Sequence, residues 1–87
     1  MRVKFHKGQQ RRFFKEVLEN ANCPSLRNLI ERGFDIPYST LKSYFNENRT
    51  LPKELFDNLS ILGNINLQNY EFSFLEDNWG KVKGGKN

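Results

Sequence analysis

An all-α fold follows from the sequence: a compact bundle of four to five helices, with an N-terminal basic arm and a C-terminal extension. Three observations predict it. Apolar residues recur at helical spacing through most of residues 8–62. Glycine and proline punctuate the ends of those runs, at Gly8, Pro24, Gly33, Pro37, Pro52 and Gly63, instead of interrupting them. Eight Phe, three Tyr and one Trp supply enough large side chains for 87 residues to close one small core without disulfides. At that length a single domain is the limit. It divides into an arm over 1–7, a helical domain over 8–65 and an extension over 66–87.

The arm alternates, with Val3 and Phe5 on one side and Arg2, Lys4 and His6 on the other. Such a pattern is either a strand or an extended segment that docks two side chains on the domain. A helix is expected from Gly8 to about Asn22, with Phe13, Phe14, Val17, Leu18 and Ala21 as its apolar stripe. Arg12–Glu16 and Lys15–Glu19 lie four apart on its wet face, pairs each worth about 0.2–0.5 kcal/mol. Leu26, Leu29 and Ile30 give a second helix its apolar face, Gly33 can take φ > 0 after it, and Ile36 is an apolar plug in the turn. A third helix, Tyr38 to Glu47, turns Leu41, Tyr44 and Phe45 inward; Pro52 suits the first turn of a fourth, with Leu55, Phe56, Leu59 and Leu62 inside. Beyond Gly63-Asn64 the pattern is too irregular for one helix. Tyr70–Phe74 alternates like a short strand, and Trp79 is expected to anchor the tail on the bundle.

Two short helices joined by a tight turn, with a polar outer face on the second, make the helix-turn-helix plan for reading a major groove. Here the residues resemble the lambda-repressor/Cro type of helix-turn-helix over about Ser25–Ile65, less than half of the chain. The matching pieces are SLRNLIERG, FDIP, YSTLKSYFNE, NRTLP and KELFDNLSIL. Three positions depart from the family pattern: Ile30 replaces the usual Ala, the loop around Glu47–Asn48 lacks its Gly, and Pro37 takes the place of a small polar cap. The resemblance implies a recognition helix that presents Tyr38, Ser39, Lys42, Ser43 and Asn46 to base edges, with Leu41 and Phe45 holding it to the core. Those side chains suit the task. Lys42 can donate to guanine O6 and N7, Ser39, Ser43 and Asn46 can donate and accept, and Tyr38 can meet a thymine methyl or a phosphate. It also implies backbone contacts from Asn48, Arg49 and Thr50. Taken with KFHKGQQRRFF and NWGKVKGG, the chain is similar to segments of archaeal proteins, including some of the LAGLIDADG class in which a helix-turn-helix precedes a larger region. That implies either a stand-alone reader or a piece of a longer protein.

Charge placement points the same way. The net charge is +4, and residues 1–20 hold six Lys/Arg against two acids, whereas 25–60 hold five against five. The last nine residues carry three Lys and no acid. Basic flanks around a near-neutral middle suit a polyanion, because phosphate contacts supply most of the sequence-independent affinity for DNA. The expected phosphate contacts are Lys4, Lys7, Arg11, Arg12, Asn48, Arg49, Thr50, Lys81 and Lys83. Double-stranded DNA is thus the expected partner, with a homodimer as a further one, its contact supplied by the Tyr70–Trp79 segment. Two other classes share these features: an adaptor module of a larger assembly, and an RNA binder that stacks bases on Phe34, Tyr38 or Trp79.

Little supports an enzyme. Gly84-Gly85 follows no strand, Cys23 and His6 have no third group to orient them, and Glu76 and Asp77 are adjacent in sequence and would diverge. No metal site and no small-molecule cofactor is expected. One cysteine, and no apolar run near the ~20 residues of a membrane span, fit a cytoplasmic protein.

Overall fold

The computed structural model describes residues 1–76. It overturns the all-α expectation: four α-helices pack on a three-stranded antiparallel sheet, a mixed α/β architecture. Strand β1 is Arg2–Phe5, followed by α1 (Gln9–Asn20), α2 (Arg27–Glu31) and α3 (Tyr38–Phe45). Strand β2 (Leu51–Pro52) leads into α4 (Lys53–Gly63), a single 3-10 turn (Leu67–Asn69) and β3 (Phe72–Leu75). The strand order is β2-β1-β3. The expected arm is therefore the central strand of the sheet, as its alternation allowed.

Register explains the sheet's two faces. Val3 pairs with Leu51 on one side and Phe74 on the other, and Phe5 pairs with Phe72. Paired residues share a face, so these side chains meet the helices together. Arg2, Lys4, Ser73 and Leu75 take the opposite face, where Lys4, Ser73 and Leu75 are exposed. The core between sheet and helices is largely aromatic. Phe13 lies with its ring centroid 5.3 Å from that of Phe5, 5.4 Å from Phe56 and 5.7 Å from Tyr70, and Phe56 lies 5.1 Å from Phe72. Full burial of such a side chain contributes about 1.5–3 kcal/mol. Phe14, Val17, Leu29, Leu41, Leu55 and Leu59 complete the packing. Helices α1 and α4 touch through Gly63, where a Cβ would stand 2.9 Å from the Cα of Val17.

All four α-helices close in one way, on a residue in the left-handed region. Those residues are Asn22 (φ 57°), Gly33 (φ 107°), Glu47 (φ 66°) and Asn64 (φ 50°). After α3, the Asn48 N–H returns to the Ser43 carbonyl at 2.8 Å and the Glu47 N–H to the Tyr44 carbonyl at 3.1 Å. This is a Schellman closure, and its left-handed position favours Gly. Asn is the usual second choice, so three of the four positions are ordinary. Glu47 is the exception, and its side chain supplies the compensation described below.

Some local expectations are corrected as well. Ile30, expected on the apolar face of α2, is instead 38 % exposed. Glu16 does not pair with Arg12; it accepts a hydrogen bond from the Tyr70 hydroxyl, while Arg12 turns to the Gln9 side chain and the Asn69 carbonyl. Trp79, Lys81 and Lys83 lie outside the described residues.

Candidate nucleic-acid interface

Helix α3 is short, and its orientation is fixed at both ends. Leu41 and Tyr44 are buried beneath it, and Phe45 packs at its end, 6.4 Å from the Phe14 ring. Pro37, with φ −57° and ψ 143°, opens the helix without a side-chain cap. At the other end a buried amide does the fastening. Gln10 of α1 is 4 % exposed, and its Nε2 donates to the Tyr44 carbonyl at 2.7 Å and the Arg49 carbonyl at 2.8 Å. Both donors of that amide are thereby used on the exit of α3.

The outer face of α3 carries one stripe. Tyr38, Lys42 and Asn46 follow at intervals of four, so they lie one above another along the helix and its cap. The Arg27 guanidinium of α2 lies over the Tyr38 ring at 4.2 Å, and the Lys42 ammonium approaches the same ring at 5.6 Å. Each cation is attracted by the quadrupole of the ring they share. At the far end, Arg11 of α1 donates to the Asn46 Oδ1 and the Phe45 carbonyl, each at 3.3 Å. The stripe therefore runs Arg27, Tyr38, Lys42, Asn46, Arg11, with three cations along it. Ser39 is exposed beside it and Ser43 is half-buried.

A second feature adjoins the end of α3. The turn between β1 and α1 and the loop between α3 and β2 enclose a cleft of about 330 Å³. Lys4, His6 and Lys7 form one wall, residues 47–50 form the other, and the buried Phe5 and Gln10 lie beneath. Five of the nine expected phosphate contacts, Lys4, Lys7, Asn48, Arg49 and Thr50, converge here. Arg11 joins the α3 stripe instead. Arg12 belongs to neither, since its guanidinium stacks 4.4 Å over Tyr70. Thr50 is less available than expected, because its hydroxyl and carbonyl accept from Arg2.

Glu47 joins the two features. One carboxylate oxygen accepts the Gly8 N–H at 2.9 Å and the other the Arg11 N–H at 3.1 Å. These are the N-cap and N3 donors of α1, the pair that a capping box would satisfy from within the helix. Here a carboxylate 39 residues away does both. Partial burial raises its pKa, but the Arg11 and Gly8 N–H groups and the Arg11 charge outweigh that and hold it below its ordinary value. A depressed carboxylate contributes stability above its unfolded pKa, and that contribution is lost as pH falls through the folded value. The wild type is therefore expected to lose more thermal stability between pH 7 and pH 3 than Glu47→Gln, which should already be about 1 kcal/mol less stable at pH 7. Parallel melting curves that stay a constant distance apart across that range would remove this role for the carboxylate.

Gln10, Arg27 and Glu47 are the residues of the candidate interface that sequence reasoning missed. Only Glu47 left a trace, as a charged residue in a loop where the resembled family places glycine. Among the described residues, no three His, Cys, Asp or Glu side chains are grouped to hold a metal ion. The Cys23 thiol is buried against the Ala21 carbonyl, and His6 is exposed with Glu71 3.6 Å away. Among those residues no helix is long and apolar enough to cross a membrane. Comparison with family models, curated proteins and solved structures finds no match to this chain.

Proposed function

We propose that the chain binds double-stranded DNA selectively, with α3 in the major groove. Tyr38, Ser39, Lys42, Ser43 and Asn46 read base edges, and Arg27 and Arg11 neutralise phosphates at either end of the helix. The observation that carries this reading is the α3 stripe itself: polar side chains on an exposed helix face, bracketed by cations from two other helices. Such a face supplies both kinds of contact that DNA recognition needs, base-edge partners and backbone charge. Regulation of transcription, in the cytoplasm, is the role this reading suggests. RNA stacking is the less favoured use of the surface, because Arg27 and Lys42 already lie on the Tyr38 ring.

Selection from random duplex DNA at near-physiological salt tests the reading. An enriched motif is expected. Lys42→Ala with Ser43→Ala should flatten preference by about 1–3 kcal/mol at each base pair those side chains read. Arg11→Gln should instead weaken all sequences alike and lower the salt slope by about one. Retention of the same motif by the α3 double variant would remove that helix from the reading. A palindromic motif with half-sites about ten base pairs apart would add the homodimer. Strand β3 is its candidate contact, as an edge strand among the described residues with Phe74 and Leu75 exposed.

A further inference from the structure

The cleft beside α3 holds more positive charge than a DNA backbone contact calls for. Among the described residues, most cationic side chains are engaged: Arg2 with Thr50, Arg11 with Asn46, Arg12 with Asn69, Arg27 and Lys42 with Tyr38, Arg32 with the Ala21 carbonyl, and Lys53 with Asp57. Lys4, Lys7, Lys15 and Arg49 have no side-chain partner there. Three of those four line this one cleft, although they come from segments more than 40 residues apart. The carboxylate on the wall, Glu47, forms no ion pair with them, because its oxygens accept backbone N–H groups, and its single charge leaves the cleft net positive. Three cationic side chains with no side-chain partner thus line one concavity.

From this we infer that the cleft is a binding site for a terminal phosphate or diphosphate group, distinct from the DNA-reading face and independent of that function. A phosphodiester of a duplex carries one negative charge. A phosphomonoester carries about −1.5 to −2 near neutral pH, and a diphosphate more, which matches Lys4, Lys7 and Arg49 together. The volume of about 330 Å³ is at the lower end of small-ligand sites, roughly 300–1,000 Å³. Arg49 provides a planar fork for two oxygens of such a group, and the two lysines provide mobile point charges. His6 and Asn48 on the rim supply further donors. The group has two natural sources, a small phosphorylated molecule such as a nucleotide, or the phosphorylated end of a nucleic-acid strand.

The test is an amide chemical-shift titration of the full chain with inorganic diphosphate, at ionic strength held constant with chloride. Saturable shifts confined to residues 4–8 and 47–50 are expected. Lys7→Gln and Arg49→Gln should each weaken binding about tenfold or more, and Lys15→Gln should leave it unchanged. Two further arms assign the source. A strand end is indicated when a 5′-phosphorylated oligonucleotide moves these amides and its 5′-hydroxyl twin does not. A small molecule is indicated when a nucleoside diphosphate displaces inorganic diphosphate and the oligonucleotides do not. Shifts scattered over every lysine, equal shifts with chloride alone, or an equal loss in Lys15→Gln would overturn the site. Lys42→Ala, which is aimed at DNA selectivity, should leave diphosphate binding intact. The two readings therefore fail separately.

Discussion

Phe13→Ala is expected to lower the thermal midpoint by about 15 °C or more and to bring the chain close to unfolding at physiological temperature. Phe13 is fully buried, and its ring meets Phe5 of the sheet, Phe14 of its own helix, Phe56 of α4 and Tyr70. Its ring thus ties α1 to both the sheet and α4. Truncation of a buried Phe costs about 3–5 kcal/mol, the lost transfer energy plus the cavity left behind. In a domain of this size each kcal/mol moves the midpoint by about 4–8 °C, and total stability is about 5–15 kcal/mol. Phe13→Leu, which keeps most of the volume, should cost much less. Circular dichroism melts of the two variants check this. A Phe13→Ala midpoint within about 5 °C of the wild type, close to the shift that a single kcal/mol produces, would mean that the sheet and helices do not share this core.

Gln10→Leu is expected to cost about 2–4 kcal/mol, with a signature confined to one side of the molecule. Leucine preserves the volume of the buried side chain but leaves the Tyr44 and Arg49 carbonyls without their donor. Each buried polar group so orphaned costs about 1–3 kcal/mol. Part of that cost is recovered if water reaches Arg49, which lies in an exposed loop. The effect should be local because the amide clasps one place, the exit of α3. Amide hydrogen exchange should therefore accelerate most at residues 44–50. If the variant melts like the wild type, or exchanges uniformly faster, Gln10 does not fasten that end of the helix.

The helices were legible because each carries its own period and, α3 apart, its own stop signal. Phe13, Phe14 and Val17 mark the buried side of α1 with no help from the rest of the chain, and Gly33 announces the end of α2 through the conformation it alone adopts cheaply. The sheet was not legible as a sheet, for two reasons. Strand β2 is two residues long, too short for any alternation to register. The alternation of Tyr70–Phe74 marks a short strand but acquires a partner only when Phe5 is set beside Phe72. Strand pairing is a property of two distant segments, and local periodicity reports on one at a time. The same limit applied to the interface. The outward residues of α3 follow from helical spacing, whereas Gln10, Arg27 and Glu47 act only after folding brings α1 and α2 against α3.

The placement of β1 in the middle of the sheet has a consequence for how the molecule comes into being. Its partner β3 is about seventy residues downstream, with Val3 opposite Phe74. A ribosome adding about 5–20 residues per second therefore leaves Phe5 and Val3 waiting several seconds for half of their sheet. The helices and β2 can cover Val3 and Phe5 early, because those partners are closer in sequence, but the edge of β1 that pairs with β3 stays open until Phe72–Leu75 arrives. Closure of that long loop is the entropically expensive step. A nascent chain stalled before Phe72 would accordingly lack the partner of one edge of β1.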